Sequence, residues 1–433
     1  MRKIAFITTL SLLSIFIGII IFLTTVGIKT DKFNNLINEK INEVNKKIKL
    51  NLNDVNLKLN TSNFKLEVIT LDPKVEINDK KIDLEIIKFD FNVFDYIKNK
   101  NPISQILITS KVNNIKQLNE FINEYDYNLV RSLILRQIKR GNIKITSKIS
   151  FDEKNPKKLK YLINGSVSNA EIKYSNQLKF NKIRFDFLID QNVININNLE
   201  LSFDKVFVNS NNLVINKINN QYEITGNLRT KKSKVNPKKY KKFLNFDLDL
   251  LNNQPINLSS NNNFSFKINN KLKIKDLDIK TKLNFDEIYI NPKYQNLIHL
   301  KNGKILISYI KKELKVNLDS KFLFNNKKYN NNFSKNLIKA TYIKKQNSKA
   351  VVGINISNIN NKINSKEFEN LILINNFSLP NQDLTFSSKN KISFTLDQNN
   401  KIKNLNVISK INTDNVLINY KSQRVKKYFS NFK

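Results

Sequence analysis

The sequence predicts a mostly β protein in which a long, curved antiparallel sheet forms an elongated open groove, shaped like a taco. Residues 263–285 alternate apolar with polar side chains, which is the pattern of strands that have one dry face and one wet face. The same alternation, separated by short polar turns, recurs over most of the 433 residues. A single closed core stops growing at about 250–300 residues, so an extended open sheet accounts better for this length.

The chain begins with an apolar segment, Ile4–Ile28, that is predicted to be a transmembrane helix. About 20 apolar residues suffice to span a bilayer. Arg2 and Lys3 precede the segment, so the positive-inside tendency places the N-terminus in the cytoplasm and the main domain across the membrane. A cleaved signal peptide is the alternative, but its apolar region is usually about 7–15 residues long. We therefore expect an uncleaved, single-pass anchor over residues 1–30.

Residues 31–49 are predicted to form an amphipathic helix that leads into the sheet. Its apolar residues recur at helical spacing. They are Phe33, Ile37, Ile41, Val44 and Ile48.

Residues 50–140 are predicted to form a β module that ends in a helix. The strands include Val55–Leu59, the proline-marked Val75–Ile77, and a long strand over residues 82–93 whose alternation changes phase near Ile86. From Ile115 to Ile138 the apolar residues recur at steps of three and four, which indicates a helix. Gly141 is placed to terminate this helix.

Residues 141–433 are predicted to be the extended β-groove region. Pro237 suits the first position of a short helix that ends near Leu244, and residues 422–428 suit another helical turn. The alternation shifts by one residue at Lys275–Asp276, which predicts a turn or bulge between strands. A β-sandwich or barrel, whose apolar faces pack against each other, is the alternative architecture.

Charge and composition argue against nucleic-acid binding and against catalysis. The formal net charge is +38, but only seven of the 74 basic residues are Arg, and the Lys residues spread along the polar faces of the strands, as on a solvated surface. The chain has no cysteine and one histidine, His299, so a thiolate metal site or a Ser-His-Asp triad is not expected. The carboxylate pairs Asp247/Asp249 and Asp276/Asp278 are read as solvated strand residues. We predict a protein that is not an enzyme and has no catalytic, cofactor-binding or metal-binding residue.

An apolar groove in a membrane-tethered protein is suited to acyl chains. Burial of apolar surface contributes roughly 25 cal/mol per Å², so a groove lined by Phe and Ile side chains would hold a lipid tail without specific polar contacts. The alternative is that the apolar side chains pack only on each other. The candidates to line the groove are Phe89, Phe91, Phe185, Phe187, Phe264, Phe266, Leu283 and Phe285.

The order of these features resembles the AsmA-like family, which includes YhdP-like and TamB-like proteins and the bridge-like lipid-transfer proteins. The resemblance lies in the anchor, the amphipathic helix, NLNDVNLKLN, and NFKLEVITLDPKVEINDKKIDLEIIKFDFNVFDYIKNKNPISQILITS, followed by the helix and GNIKIT. FLNFDLDLLNNQPINLSSNNNFSFKINN is similar to the YhdP-like members. Together these segments cover most of residues 1–400, although known members are much longer.

The resemblance implies a repeating β-groove protein of the bacterial inner membrane that extends into the periplasm. It implies that phospholipid moves along the groove between the inner and outer membranes, and so a role in outer-membrane lipid homeostasis. It leaves open a further envelope protein at the distal end.

Two other functions are alternatives to lipid transport. A non-enzymatic assembly factor would pair its sheet edge with outer-membrane β-barrel proteins during their insertion. An outer-membrane barrel itself should carry a cleavable signal and aromatic girdles, and the predicted anchor and the absence of Trp argue against it.

Overall fold

The fold is mostly β and antiparallel, as predicted. A computed structural model of the chain describes residues 2–31, 34–35, 38, 47–53, 55–62, 65–98, 102–125, 136–151, 159–173, 179–218, 221–237, 254–269, 273–290, 298–324, 333–372, 377–414 and 419–420. Twenty-two of the described strands belong to one open antiparallel sheet, and two more form a separate pair. The chain divides into two compact units, unit 1 (residues 1–204 and 209–223) and unit 2 (residues 205–208 and 224–433).

Among its described residues, unit 1 contains three helices with defined bounds and the first strands of the chain. The helices are α1 (Arg2–Thr25), α2 (Val93–Ile97) and α3 (Ile115–Tyr125). The strands are β1 (Ile28–Thr30), β2 (Ile48–Asn51), β3 (Val55–Asn60), β4 (Lys65–Leu71), β5 (Lys74–Ile77), β6 (Lys80–Phe91), β7 (Ile103–Ser110), β8 (Asn113–Asn114), β9 (Ile138–Phe151), β10 (Leu159–Lys173), β11 (Lys179–Ile189) and β12 (Val193–Phe203). Two strands carry residues of both units, β13 (Val206–Ile218) and β14 (Gln221–Val235).

The strands of unit 1 pair antiparallel in the order β1-β3-β4-β6-β7-β9-β10-β11-β12. A short branch, β2-β5-β6, shares strand β6, and β8 pairs with β9. Ile115, the first residue of α3, is buried with Val167, Ala170 and Ile183. This helix therefore covers part of one sheet face.

Unit 2 contains the remaining elements. They are β15 (Ile256–Ile268), β16 (Ile274–Tyr289), β17 (Ile298–Ile310), β18 (Glu313–Phe324), a 3₁₀ turn (Phe333–Lys335), β19 (Leu337–Lys345), β20 (Ala350–Asn364), α4 (Ser365–Ile372), β21 (Phe377–Ser378), β22 (Asp383–Leu396), β23 (Ile402–Thr413) and β24 (Asn419–Tyr420). The sheet order is β15-β16-β17-β18-β19-β20-β22-β23, all antiparallel. Strands β21 and β24 form the separate pair.

Polar residues with positive φ make the turns and the bulges. Asn78-Asp79 and Lys311-Lys312 are two-residue hairpin loops in which both φ angles are positive, as a type I′ turn requires. Asn and Asp tolerate this conformation better than most residues because their short side chains bond locally. The chain has only seven glycines, and polar residues take the positions that glycine often fills.

The predicted phase shift at Lys275–Asp276 is confirmed as a bulge. Asp276 has a φ of +49°, and the register between β15 and β16 shifts beside it. The bulge lies inside β16, so residues 274–289 are one strand rather than two. Other bulges follow the same pattern, with positive φ at Asn302, Asn360 and Asn404 beside a register shift.

Some helix boundaries differ from the prediction. Helix α3 begins at Ile115 as predicted, but Ile138–Arg140 already belong to strand β9, and Gly141 lies inside that strand rather than at a helix end. Ile48 and Lys49 lie in β2, where a helix was predicted. The predicted helices near residues 238–244 and 422–428 fall outside the described residues. Among the residues with a described placement, no helix is both long and apolar enough to cross a membrane.

Candidate functional site

One face of the unit 2 sheet carries an unbroken row of apolar residues across seven strands. Residues paired directly in register share a face of the sheet, so the row can be followed from strand to strand. It consists of Leu283, Ile305, Leu318, Ala340, Ile354, Ile392 and Val407. The row beside it on the same face is Thr281, Ile307, Val316, Tyr342, Val352 and Phe394. We call this the apolar face of unit 2.

The opposite face of the same strands is polar. Its corresponding row is Asn284, Lys304, Asp319, Lys339, Asn355, Lys391 and Ile408. Lys339 and Asp319 form an ion pair at 3.8 Å, and both side chains are exposed, so its contribution to stability is small. In the rows named here, every charged side chain lies on the polar face, and Ile408 on the last strand is the one apolar residue of the polar row.

A closed aromatic core covers one end of the apolar face of unit 2. Helix α4 contributes Phe368, whose ring centroid lies 5.1 Å from that of Phe386. Phe324 in turn lies 5.7 Å from Phe386 and 5.5 Å from Phe322. Leu379 and Phe285 are buried in the same cluster. Most of the rest of the face, including Leu283 and Ile354, is half-buried.

Helix α4 is held against this end by polar contacts. Asn364 caps the helix, because its side-chain oxygen accepts a hydrogen bond from the Lys366 N–H at 3.0 Å. The Ser365 hydroxyl donates to the Pro380 carbonyl at 2.7 Å and accepts from the Gln382 N–H at 3.1 Å. The helix is therefore fixed at its first turn to the segment that precedes β22.

Two fully buried amides lie at the border of the closed core. The Asn336 side chain donates to Asn361 Oδ1 at 3.1 Å, and the Asn361 side chain donates back to Asn336 Oδ1 at 2.6 Å. Both residues are 0% exposed. A buried amide without a partner would be costly, so each of the two satisfies the other.

A polar cluster interrupts the apolar face of unit 2 on β14, β15 and β16. Asn262 donates to the Leu228 carbonyl at 2.9 Å and to Ser260 Oγ at 2.8 Å. Its Oδ1 accepts from the Thr281 hydroxyl at 2.9 Å, and Thr230 Oγ1 lies 3.0 Å from Ser260 Oγ. These groups bond to one another, so the cluster is a structural network.

Unit 1 also has an apolar row across seven strands. It consists of Ile28, Leu57, Val68, Phe89, Ile106, Ile149 and Tyr161. Lys88, next to Phe89, is on the opposite face and forms an ion pair with Glu67. Helix α3 covers the same face at the end where Ile115 packs on β10 and β11. Each unit thus has an apolar face that a helix covers in part.

The structure brings the predicted candidate residues onto these two faces. In unit 1, Phe89 and Phe91 on β6 share a face with Phe185 and Phe187 on β11. The register follows from Phe89 through Ile149, and from Ile145 through Gly165 to Phe187. All four rings are half-buried, and Phe185 lies 6.2 Å from Phe187 between centroids.

The unit 2 candidates also share one face but differ in burial. Phe264 pairs with Ile279, which lies four residues before Leu283 on the same strand and so on the same face. The ring centroid of Phe264 lies 5.9 Å from that of Phe266. Phe264, Phe266 and Leu283 are half-buried. Phe285 is 3% exposed and enclosed in the aromatic core.

A small titratable cluster lies on β16 and β17. The Tyr289 hydroxyl donates to Glu287 Oε2 at 2.9 Å, and Lys301 pairs with Glu287 at 2.8 Å. The hydrogen bonds from Lys301 and then Tyr289 hold the pKa of Glu287 below its usual range. His299 stacks on Tyr289 at 4.9 Å, and burial lowers its pKa. Within the described part of the chain, no group of three or more potential ligands could hold a metal ion.

Sequence reasoning missed helix α4. A signal for it is present, because Asn364 is followed three residues later by Glu367, the spacing of a helix cap with an acidic residue in the first turn. The helix spans only eight residues, too few to establish a periodic pattern. Comparisons with protein-family profiles, with curated sequences and with solved structures found no match to this chain.

Proposed function

We propose that the chain is an AsmA-like protein that carries phospholipid along grooves lined by its apolar faces, between the inner and outer membranes of a bacterial envelope. The observation that carries the proposal is the pair of unbroken seven-residue apolar rows, one in each unit. Their side chains are mostly half-buried, whereas the core of a closed sandwich would bury them fully. A continuous apolar patch of this extent is uncommon on the exposed surface of a soluble protein unless a ligand, a membrane or another protein binds there.

The dimensions suit an acyl chain. Neighbouring strands lie about 4.8 Å apart, so a row across seven strands is about 29 Å long. The hydrocarbon core of a bilayer is about 30 Å thick and holds two leaflets, so an acyl chain in one leaflet spans about 15 Å. Each row can accommodate at least one tail, and contact with alternating Ile, Leu and Phe side chains requires no particular head group.

The membrane attachment in this proposal is helix α1 (Arg2–Thr25), which contains most of the predicted apolar segment, whereas Ile28 at the end of that segment lies in β1. Within helix α1, large apolar side chains such as Leu12, Phe16 and Phe22 are exposed. Exposure of these side chains to water would be unfavourable, and insertion into a bilayer would remove them from water. In this arrangement the N-terminus is cytoplasmic and the sheet lies in the periplasm.

Site-specific photocrosslinking in bacterial cells tests the proposal. Benzoylphenylalanine replaces Phe89 or Ile354 on the apolar faces, and the sequence neighbours Lys88 and Asn355 on the polar faces serve as matched controls. After irradiation, mass spectrometry of the purified full-length chain should find phospholipid adducts at Phe89 and Ile354, several-fold above the controls. Equal labelling on both faces, or none at the apolar positions, would contradict the proposal.

A further inference from the structure

Strand β23 forms an edge of the unit 2 sheet. It spans Ile402–Thr413 and, among the described residues, pairs with β22 alone. All twelve of its residues are exposed. An edge strand presents unpaired N–H and C=O groups that can pair with another chain.

The edge strand continues the apolar face of unit 2. Val407 pairs with Ile392 at the end of the seven-residue row, yet it is 53% exposed. Ile402, which pairs with Leu396, and Leu405, at the bulge beside Asn404, are similarly exposed. A further strand added to β23 would cover these side chains if its own residues on that face were apolar.

The polar face at this edge has an excess of positive charge. Lys389 on β22 lies directly opposite Lys410 on β23, and like charges in this position repel each other. Lys391 and Lys403 lie on the same face nearby. None of the four has an ion pair with a described residue. Carboxylates on an added strand would offset the repulsion.

We propose that the free edge of β23 is a docking site for an extended strand of a partner protein in which apolar and acidic residues alternate. The apolar residues of the added strand would lie beside Leu405 and Val407 on the apolar face. Its acidic residues would lie beside Lys403 and Lys410 on the polar face. This site is independent of the proposed lipid function. Lysines and bulges on an edge strand generally deter pairing with other chains. In β23 the lysines disfavour a basic strand but not an acidic one, and the apolar row stays uncovered.

A second copy of the chain fits this edge poorly. Strand β23 contains two lysines and no acidic residue, and the whole chain has a formal net charge of +38. Pairing of two β23 edges would bring lysines from both copies together without a carboxylate. The charge therefore favours a partner of opposite sign over self-association.

Binding of two designed peptides to the detergent-solubilised full-length chain tests the proposal. Both peptides have the same apolar residues at alternate positions, with Glu between them in one and Lys in the other. Fluorescence anisotropy should show binding of the acidic peptide, weakening as salt is added, and little binding of the basic peptide. Charge reversal by Lys389→Glu with Lys410→Glu should weaken the acidic peptide about ten-fold and improve binding of the basic one.

The matched control reverses Lys280 and Lys282 to Glu on β16, away from this edge, with the same change in net charge. It should leave both affinities nearly unchanged. Because the chain has no cysteine, Val407→Cys provides a unique thiol that should form a disulfide with a cysteine-bearing acidic peptide. Loss of binding in the control, absence of binding by either peptide, or disulfide dimers of the Val407→Cys chain in place of peptide adducts would overturn the proposal.

Discussion

The ring of Phe285 on β16 lies over Gly303 on β17, its direct partner in the sheet. A Cβ atom at position 303 would overlap the ring. The same arrangement occurs in unit 1, where Phe187 lies over its partner Gly165 and a Cβ there would be 2.6 Å from Cζ of the ring. In both places the glycine lets an aromatic ring lie flat across the neighbouring strand, on the apolar face.

Substitution of Gly303 by Ala should destabilise unit 2. The added methyl group displaces Phe285 from the aromatic core, and such overpacking costs about 1–3 kcal/mol. The free energy of unfolding, measured by urea titration of the full-length chain in detergent, reports the change. Gly353→Ala is the matched control, because nothing lies within 4 Å of a Cβ at that position in β20. The control should be neutral or stabilising by up to about 1 kcal/mol, since alanine restricts the unfolded chain.

A double substitution tests whether the ring of Phe285 causes the cost of a methyl group at Gly303. If the cost arises from the ring, Phe285→Ala should make the addition of the methyl group at position 303 nearly free. A full cost of Gly303→Ala in the Phe285→Ala background would contradict the overlap.

The amide pair Asn336–Asn361 should be sensitive to loss of either member. Asn361→Ala leaves the fully buried Asn336 amide without its two hydrogen bonds, which costs about 1–3 kcal/mol. Asn381→Ala is the control, because Asn381 accepts a hydrogen bond from Asn364 at the exposed surface. A double-mutant cycle over Asn336 and Asn361 should give a coupling free energy of at least about 0.5 kcal/mol. Additive effects would show that the two amides are not partners.

Acidification should destabilise the chain in two separate pH ranges. Burial lowers the pKa of His299 below its ordinary 6.5, so the unfolded state binds this proton first and stability falls as the pH drops below about 6.5. Lys301 and Tyr289 lower the pKa of Glu287 below its ordinary 4.5. The stabilisation from Glu287 is therefore complete above about pH 4.5 and is lost as the pH falls through the folded-state pKa.

Two variants distinguish the ranges. His299→Gln should reduce the loss of the free energy of unfolding that begins below about pH 6.5 and leave the loss that begins below about pH 4.5. Glu287→Gln should reduce the acid loss below pH 4.5 and leave the upper range. The result that contradicts this assignment is an unchanged slope in the upper range for His299→Gln.

The strands and bulges could be predicted because alternation is a local property of the sequence. Phe264 with Phe266 and Leu283 with Phe285 were assigned to strands with one apolar face, and each pair lies on a single face of the structure. The bulge at Asp276 followed from the change of phase at one residue. In each case the residues involved are neighbours in the sequence, so pairing geometry follows from the period of two.

The degree of burial could not be predicted, because it depends on distant residues. Phe285 and Leu283 have the same pattern in the sequence, yet only Phe285 is enclosed. The difference arises from Phe368 and Leu379, roughly 80–95 residues further along the chain, which cover one end of the face. The end of helix α3 could not be predicted for the same reason. The apolar residues at helical spacing continue from Ile115 to Ile138, but Ile138 pairs with Ile172 in the sheet. Strand pairing with a distant residue overrides the local periodicity there.

A charge placed on the apolar face of unit 2 should reduce lipid binding without unfolding the chain. Ile354→Asp puts a carboxylate in the middle of the seven-residue row, where an acyl chain would have to pass a charge that cannot be neutralised at low energetic cost. Asn355→Asp introduces the same carboxylate one residue away on the polar face. Ile354 is half-buried and lies outside the aromatic core, so the fold should tolerate the change. Native mass spectrometry of the full-length chains should show a several-fold loss of bound phospholipid for Ile354→Asp and none for Asn355→Asp, with far-ultraviolet circular dichroism unchanged in both. Equal lipid content in the two folded variants would mean that lipid binding does not depend on the apolar face of unit 2, and the proposed function would fail.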